Sequence, residues 1–321
     1  MNILVTGGAG FIGSHTCKAL AKAGYTPVSY DNLSRGNRDA VKWGPLEIGD
    51  VVDVERLRSV LQHYRPIAVM HFSAYAYVGE SVQKPLLYYR NNIGGSVALL
   101  QALVDCGPVP FVFSSSCATY GIPEAIPITE NHPQRPISPY GFSKFAVERM
   151  LGDLGTACQL SSVILRYFNA AGSDPENEIG EMHDPETHLI PLVLRAAQAG
   201  NPVNIFGTDY DTPDGTCIRD YVHVADIADA HVRALNYLLA GGKSCALNLA
   251  NSQGYSVKEV IATAESVCNR AISVNVAARR PGDSPVLVGS ALRALEVLGW
   301  RPRISKLENQ IDDAWNWLRS R

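Results

Sequence analysis

The sequence predicts an α/β protein: a doubly wound parallel sheet followed by a smaller C-terminal α/β unit. Three observations carry this. Short apolar runs alternate with helix-length amphipathic stretches through the first half. The first apolar run ends in a glycine-rich turn that opens a helix. Beyond residue 168 the alternation loosens into loop-rich, acidic chain.

The elements follow in order. Ile3-Leu4-Val5 is a buried strand, and residues 14–23 read as a helix closed by Gly24. Residues 26–30 form a second strand and Leu46-Glu47-Ile48 a weaker third. A helix covers 54–63. Pro66 precedes the strand Ile67-Ala68-Val69-Met70, and one long helical pattern runs over 85–106. Phe111-Val112-Phe113 is a strand, 121–139 a Pro-rich loop, and a helix begins near Tyr140. Ser162-Val163-Ile164-Leu165 is a further buried strand. In the second half, helices are expected at about 191–199, 226–239 and 255–268. The expected division is 1–168 for a dinucleotide-binding domain and 169–321 for a predominantly substrate-binding domain, with parts of the latter returning to the first.

A chain of 321 residues suits two such units. Lys and Arg number 28 against 31 Asp and Glu, so no basic field exists for nucleic acid or an anionic membrane. No apolar run is long enough for a transmembrane helix, and the start lacks a signal-peptide pattern. Seven scattered cysteines, none spaced C-x-x-C, argue against disulfides and a zinc site. The expectations are a cytoplasmic protein with no metal and no membrane or nucleic-acid partner.

Gly8-Ala9-Gly10-Phe11-Ile12-Gly13 satisfies G-x-G-x-x-G, and Gly7, Gly10 and Gly13 also give the G-x-x-G-x-x-G variant. Glycines permit a tight turn and close approach of backbone N–H groups to a pyrophosphate, and the following helix adds partial positive charge. A lone glycine motif is weak, but here a strand precedes, a helix follows, and Asp31 ends the next strand. The sheet is therefore Rossmann-type. A carboxylate at Asp31 accepts from the adenine ribose hydroxyls and repels a 2′-phosphate, so NAD is the expected cofactor, with Arg35 close enough to leave NADP open. Asp50 is a candidate for the adenine edge or a solvated strand-end carboxylate.

Tyr140-Gly141-Phe142-Ser143-Lys144 sets Tyr and Lys four apart, on one helix face. Ser138-Pro139 supplies an N-cap and an N1 proline. Lys144 and the positive helix end both favour the Tyr140 phenolate, so Tyr140 is expected to move protons near neutral pH. Alone, Y-x-x-x-K is common. Ser116, closing the strand run Ser114-Ser115-Ser116, adds a donor where a parallel sheet faces its ligand crevice.

These residues carry a resemblance to the extended short-chain dehydrogenase/reductase family and, within it, to its UDP-glucose 4-epimerase branch. Matching stretches lie at 5–15, 31–36 (Asp31-Asn32-Leu33-Ser34-Arg35-Gly36), 78–82, 113–116, 138–141, 166–169, 214–216, 219–224 (Arg219-Asp220-Tyr221-Val222-His223-Val224) and 279–283 (Arg279-Arg280-Pro281-Gly282-Asp283), across almost the whole chain. The resemblance implies 4-epimerisation of UDP-glucose and UDP-galactose through a transient 4-keto sugar and NADH, with no net redox change. Tyr140 takes the 4-hydroxyl proton, Lys144 also holds the nicotinamide ribose, and Ser116 bonds the reacting oxygen. Gly7, Gly10, Phe11, Ile12 and Gly13 form the cofactor loop. Asp31, Asn32, Asp50 and Val51 contact the adenosine end, Asn91 lies near the cofactor and Phe168 near the nicotinamide. Asn169, Arg219 and Arg280 hold the UDP diphosphate region, where the guanidinium fork matches phosphate oxygens. Asn204 to Phe206 border the uracil and Asp283 takes the uridine ribose. A homodimer is implied, joined through the helices near 85–106 and 140–154.

Three positions depart from the family pattern. Ala76 stands where many members carry a lysine near the cofactor phosphates. His188 replaces an asparagine near the sugar nucleotide, and Leu287 a tyrosine at the sugar pocket. Rival readings are a 4-epimerase of a UDP-pentose or UDP-N-acetylhexosamine, a nucleotide-sugar 4,6-dehydratase, and a non-catalytic nucleotide-binding relative. Ser116 is followed by Cys117-Ala118, with no acid to protonate a leaving hydroxyl, which disfavours elimination.

Overall fold

A computed structural model describes residues 1–280 and 282–321; Pro281, within the 279–283 stretch, lies outside the described residues. The strands are β1 (Asn2–Thr6), β2 (Thr26–Asp31), β3 (Leu46–Ile48), β4 (Ala68–His71), β5 (Phe111–Ser116), β6 (Ser162–Tyr167), β7 (Asn169–Ala171), β8 (Val203–Phe206), β9 (Ile218–His223), β10 (Cys245–Leu249), β11 (Gly254–Ser256), β12 (Val274–Ala277) and β13 (Val286–Leu287). The α-helices are α1 (Phe11–Lys22), α2 (Val54–Tyr64), α3 (Val78–Gln83), α4 (Pro85–Tyr88), α5 (Gly95–Cys106), α6 (Pro139–Cys158), α7 (Leu189–Ala199), α8 (Val224–Leu239), α9 (Val257–Cys268), α10 (Leu292–Leu298) and α11 (Leu307–Arg319).

Seven parallel strands form the main sheet in the order β10-β6-β5-β4-β1-β2-β3. Strand alternation splits the core between the sheet's faces. Ile3 and Val5 pack with α1, α8 and Trp300, while Leu4 packs with α2, α5 and α6. The order reverses at β1, between β2 and β4, which places the glycine turn at a topological switch point.

Downstream of residue 168 the chain divides its elements. α8 packs on α1, and β10 extends the main sheet beside β6. α10 packs on α8 and β10 in the main core, and a separate cluster is built from β7, β8, β9, α7, α9 and α11. β9 pairs with β11, β13 and β7, and β8 pairs with β12.

Several elements differ from the sequence expectation. The helix expected over 85–106 contains a π-helical stretch, Tyr89–Gly94, between α4 and α5. α1 starts at Phe11 rather than 14, because Gly10 is its N-cap and the glycine turn itself becomes the first helical turn. α3, α10, α11 and all strands after β6 went unread. Most are too short to show a period, but α11 is not: Leu307, Ile311, Ala314 and Trp315 make an apolar stripe at helical spacing that the sequence does display. Among the described residues, no helix is long and apolar enough to cross a membrane.

Candidate active site

The carboxyl ends of β1, β2, β4 and β5 meet at the switch point, and the expected cofactor residues gather there. Gly7 has φ of +74°, and a Cβ on it would lie 2.6 Å from the Ser73 nitrogen. A Cβ on Gly13 would lie 2.1 Å from the Gly7 carbonyl oxygen. Both positions must be glycine for the turn to fold tightly under α1, leaving the helix N-terminus as an anion cradle. Asp31 accepts from the backbone nitrogens of Ala9 (3.1 Å) and Leu33 (2.9 Å). Burial pushes its pKa up, opposed by those two donors. Asn32 donates to the Asp50 carboxylate at 3.1 Å, joining the ends of adjacent strands β2 and β3. Val51 is buried beside them. Arg35, the one residue that left NADP open, is committed elsewhere. Its guanidinium donates to both Glu80 oxygens at 3.0 Å and lies over the Tyr77 ring. The cradle, its acidic ribose end and this occupied arginine fit NAD. Ala76 is exposed in the loop between β4 and α3.

The catalytic candidates come together one strand over. Ser116 closes β5, and its Oγ accepts from the Ala118 nitrogen at 3.1 Å, which leaves its own proton free to donate. Ser138 caps α6 by accepting from Gly141 at 3.1 Å, and Pro139 is the first helical residue, so Tyr140 lies in the first turn as expected. Lys144 sits one turn on, donating to the Ser114 carbonyl at 2.7 Å, with its ammonium 6.0 Å from the Tyr140 ring centre. Ser116, Tyr140 and Lys144 are 7%, 8% and 4% exposed.

The electrostatics correct the sequence expectation. Burial is the largest influence on both members of the pair. It pushes the Tyr140 phenol above its ordinary value, with the Ser116 hydroxyl opposing. Burial also pushes Lys144 down to about 7, against the pull of Glu148. The lysine is therefore not a permanent cation beside the phenol: desolvation penalises both charges at once.

Two supporting groups were missed. Asn92 accepts from the Tyr75 nitrogen (2.9 Å) and donates to Ser143 Oγ (3.0 Å), tying the β4 loop to α6. Its neighbour Asn91, the expected residue, donates to Asn92 (2.9 Å). Behind β5, Arg166 and Glu148 form a buried fork–fork pair, which Gln134 and Tyr120 complete. Glu148 lies four residues beyond Lys144 on α6, a spacing legible in the sequence, but its partner comes from β6.

The remaining candidates form a second grouping. Arg219 donates to Asp283 (3.0 Å) and to the Ser284 carbonyl (2.8 Å), and its strand neighbour across β13 is Leu287. The Arg280 guanidinium lies 3.9 Å over the Phe206 ring. Asn204 is exposed on β8, and Asn169 is exposed at the start of β7. Phe168 is buried with Tyr120, Ile128 and Ala250, and Leu287 packs against that cluster. His188 is placed differently: it caps the start of α7 and bonds Glu181.

The geometry has close counterparts. The family model described as NAD dependent epimerase/dehydratase family matches residues 3–250. The chain is 54% identical over 317 residues to a UDP-glucose 4-epimerase of Rhizobium meliloti (strain 1021), covering 98% of this chain and 96% of that one. Among solved structures, UDP-glucose 4-epimerase from Brucella ovis in complex with NAD superposes with a TM-score of 0.95 at 49% identity, covering 98% and 97% of the two chains. The UDP-Glc/GlcNAc 4-epimerase from Campylobacter jejuni superposes with a TM-score of 0.86 at 37% identity, covering 99% of each.

Proposed function

The chain belongs to the NAD dependent epimerase/dehydratase family, and on that premise we propose that it interconverts UDP-glucose and UDP-galactose by reversible epimerisation at C4. The observation that carries the reading is the meeting of Ser116, Tyr140 and Lys144 at the carboxyl end of β5, beside a dinucleotide cradle.

NAD, when bound, supplies a reversible hydride acceptor, so oxidation of C4 and reduction on its other face leave no net redox change. The Gly7–Gly13 turn with Phe11 and Ile12 holds its pyrophosphate. Asp31, Asn32, Asp50 and Val51 hold the adenosine end, while Asn91 and Phe168 flank the other. Tyr140, in its phenolate form, would remove the sugar 4-hydroxyl proton and return it to the opposite epimer. Ser116, its proton free, donates to the reacting oxygen and bonds the 4-keto oxygen most strongly as charge develops there. Lys144 holds the nicotinamide ribose. With a pKa near 7, it takes or yields a proton readily, so charge in the Tyr–Lys pair is redistributed rather than fixed.

At the other end, Arg219 and Arg280 clamp the UDP diphosphate, with Asn169 alongside. Asn204 and Phe206 border the uracil, and Asp283 accepts from the uridine ribose. Arg280, already stacked on Phe206, is preorganised for this.

The functional unit is a homodimer joined through α4, α5 and α6. Support comes from exposed apolar side chains on those helices: Leu86 is 79% exposed, and Val97 and Phe142 about half exposed. A reducing cytoplasm as its place of work agrees with seven free cysteines. The deciding experiment is a panel of UDP-sugars assayed for 4-epimer formation with NADH followed in parallel. UDP-glucose and UDP-galactose should interconvert without stoichiometric NADH. One NADH per turnover would identify a dehydrogenase, and activity confined to a UDP-pentose or UDP-N-acetylhexosamine would move the substrate assignment.

A further inference from the structure

The segment between β7 and α7 contains the pattern Glu181-x-His183-x-x-Glu186-x-His188. The fold brings all four side chains to one point: each offers a ligand atom within 4.8 Å of the other three. His183 Nδ1 lies 2.8 Å from Glu181 Oε1, and His188 Nδ1 meets the same carboxylate. One oxygen of Glu186 accepts from the backbone nitrogens of Thr187 (2.8 Å) and His188 (3.0 Å). Its other oxygen has no hydrogen-bond partner among the described residues although the side chain is only 1% exposed. The nearest cation, Arg195, stays 3.6 Å from it and donates instead to the His183 carbonyl. His183 Nδ1 is buried too, and although 2.8 Å from the Glu181 carboxylate it makes no well-angled hydrogen bond among the described residues.

A buried carboxylate oxygen without a hydrogen bond, beside a second carboxylate and two imidazoles, is costly unless something joins them. A divalent cation does so directly. We propose that Glu181, His183, Glu186 and His188 form a binding site for a divalent transition-metal ion of the zinc class. Two imidazole nitrogens with two carboxylates suit zinc or cobalt, whereas magnesium and calcium prefer all-oxygen shells. Four protein ligands leave no open position, so the ion is structural rather than catalytic.

The location gives the ion something to hold. Tyr77, in the loop that carries Ala76, meets the edges of both imidazoles at 5.7 and 6.4 Å. Phe11, the first residue of α1, meets His183 at 6.3 Å. Trp317 of α11 donates to the Glu181 carbonyl. His188 itself starts α7. An ion here therefore pins one segment to the helix under the dinucleotide turn and to α7 and α11 of the smaller cluster. This also gives His188 a task outside the sugar pocket. The missed signal was the regular His/Glu spacing: the cysteine-based search for a zinc site could not see it.

The test uses untagged full-length protein, dialysed against a chelator and then titrated with Co2+. The expected result is one equivalent bound, with the visible d–d absorption of four-coordinate cobalt, displaced by Zn2+. In the His183→Gln/Glu186→Gln double variant that absorption should vanish and Zn2+ affinity fall at least about 100-fold, since even outer partners of metal ligands are worth 10–100-fold. No stoichiometric cobalt signal in the wild type, or an unchanged signal in the variant, overturns the proposal. Should the variant fail to fold, wild-type crystals soaked in ZnCl2 decide: an anomalous peak among these four residues supports the site, and peaks only elsewhere overturn it.

Discussion

The two ends of the active site are built in opposite ways. At the catalytic end, Ser116, Tyr140 and Lys144 stand on a central strand and the first turns of a long helix, each less than a tenth exposed. Their supports are buried as well: Asn92 on one side and the Glu148–Arg166 pair on the other. At the nucleotide end, Arg280 and Asn204 are exposed, and the mostly buried Arg219 is paired with Asp283, itself a third exposed. The difference follows from what each end must do. Proton movement needs groups fixed to a fraction of an ångström in a dry site. Diphosphate capture needs charge that stays hydrated until the ligand arrives, because burying an unpaired guanidinium is costly.

If that contrast is right, the largest effect belongs to Tyr140. Tyr140→Phe should lower kcat by about 10²–10⁴-fold, the usual worth of a positioned acid–base group, with UDP affinity unchanged. Steady-state kinetics and UDP titration by calorimetry separate the two. Near-full turnover in this variant would remove Tyr140 as the base.

The next effect concerns support rather than chemistry. Glu148→Ala leaves Arg166 buried without its carboxylate and should cost about 3–5 kcal/mol of stability. Arg279→Ala, which breaks a pair with the mostly exposed Asp209, should cost far less, because water screens that pair. Denaturant midpoints of the two variants make the comparison. Equal losses would mean that the ends are not mechanically different.

At the nucleotide end the loss should appear in binding. Arg219→Met removes charge-assisted contacts worth about 1.5–3 kcal/mol and should raise KM roughly 10–100-fold with kcat little changed. A fall in kcat at constant KM would place Arg219 with the catalytic group instead.

The same contrast explains what could be read from the chain. The glycine turn, Asp31 and the Tyr140–Lys144 spacing are local patterns, each within one strand–turn–helix unit, so sequence alone exposes them. Glu148 with Arg166, and Asn92 with Ser143, are pairs made by the fold between distant segments. The Tyr140 proton affinity was misjudged for a related reason. Charge proximity is visible in an i,i+4 spacing, but the burial that outweighs it is set by β5, the β4 loop and α6 together. The nucleotide-end residues were reached through family resemblance, since Arg219, Asp283 and Arg280 lie on short strands and loops without periodicity.

The smallest expected effect tests where the two ends meet. Leu287 is on β13 across from Arg219, yet it packs on the cluster of Tyr120, Phe168 and Ala250 beside the catalytic strand. It is only partly buried, so it is shared between core and pocket. Leu287→Ala opens space near the sugar, and Leu287→Tyr adds bulk that must find room against Phe168. A methylene-scale change in a pocket alters selection by about 1–3 kcal/mol, and part of any change here is absorbed by repacking of the cluster. The expected result is a bias of about tenfold or less in the ratio of kcat/KM for UDP-N-acetylglucosamine to that for UDP-glucose. Alanine should raise the ratio and tyrosine lower it. Because Leu287→Ala also removes core contacts, its Tm should fall while the ratio rises. A fall in Tm with an unchanged ratio in both variants would assign Leu287 wholly to the core and leave sugar selection to residues at the exposed end.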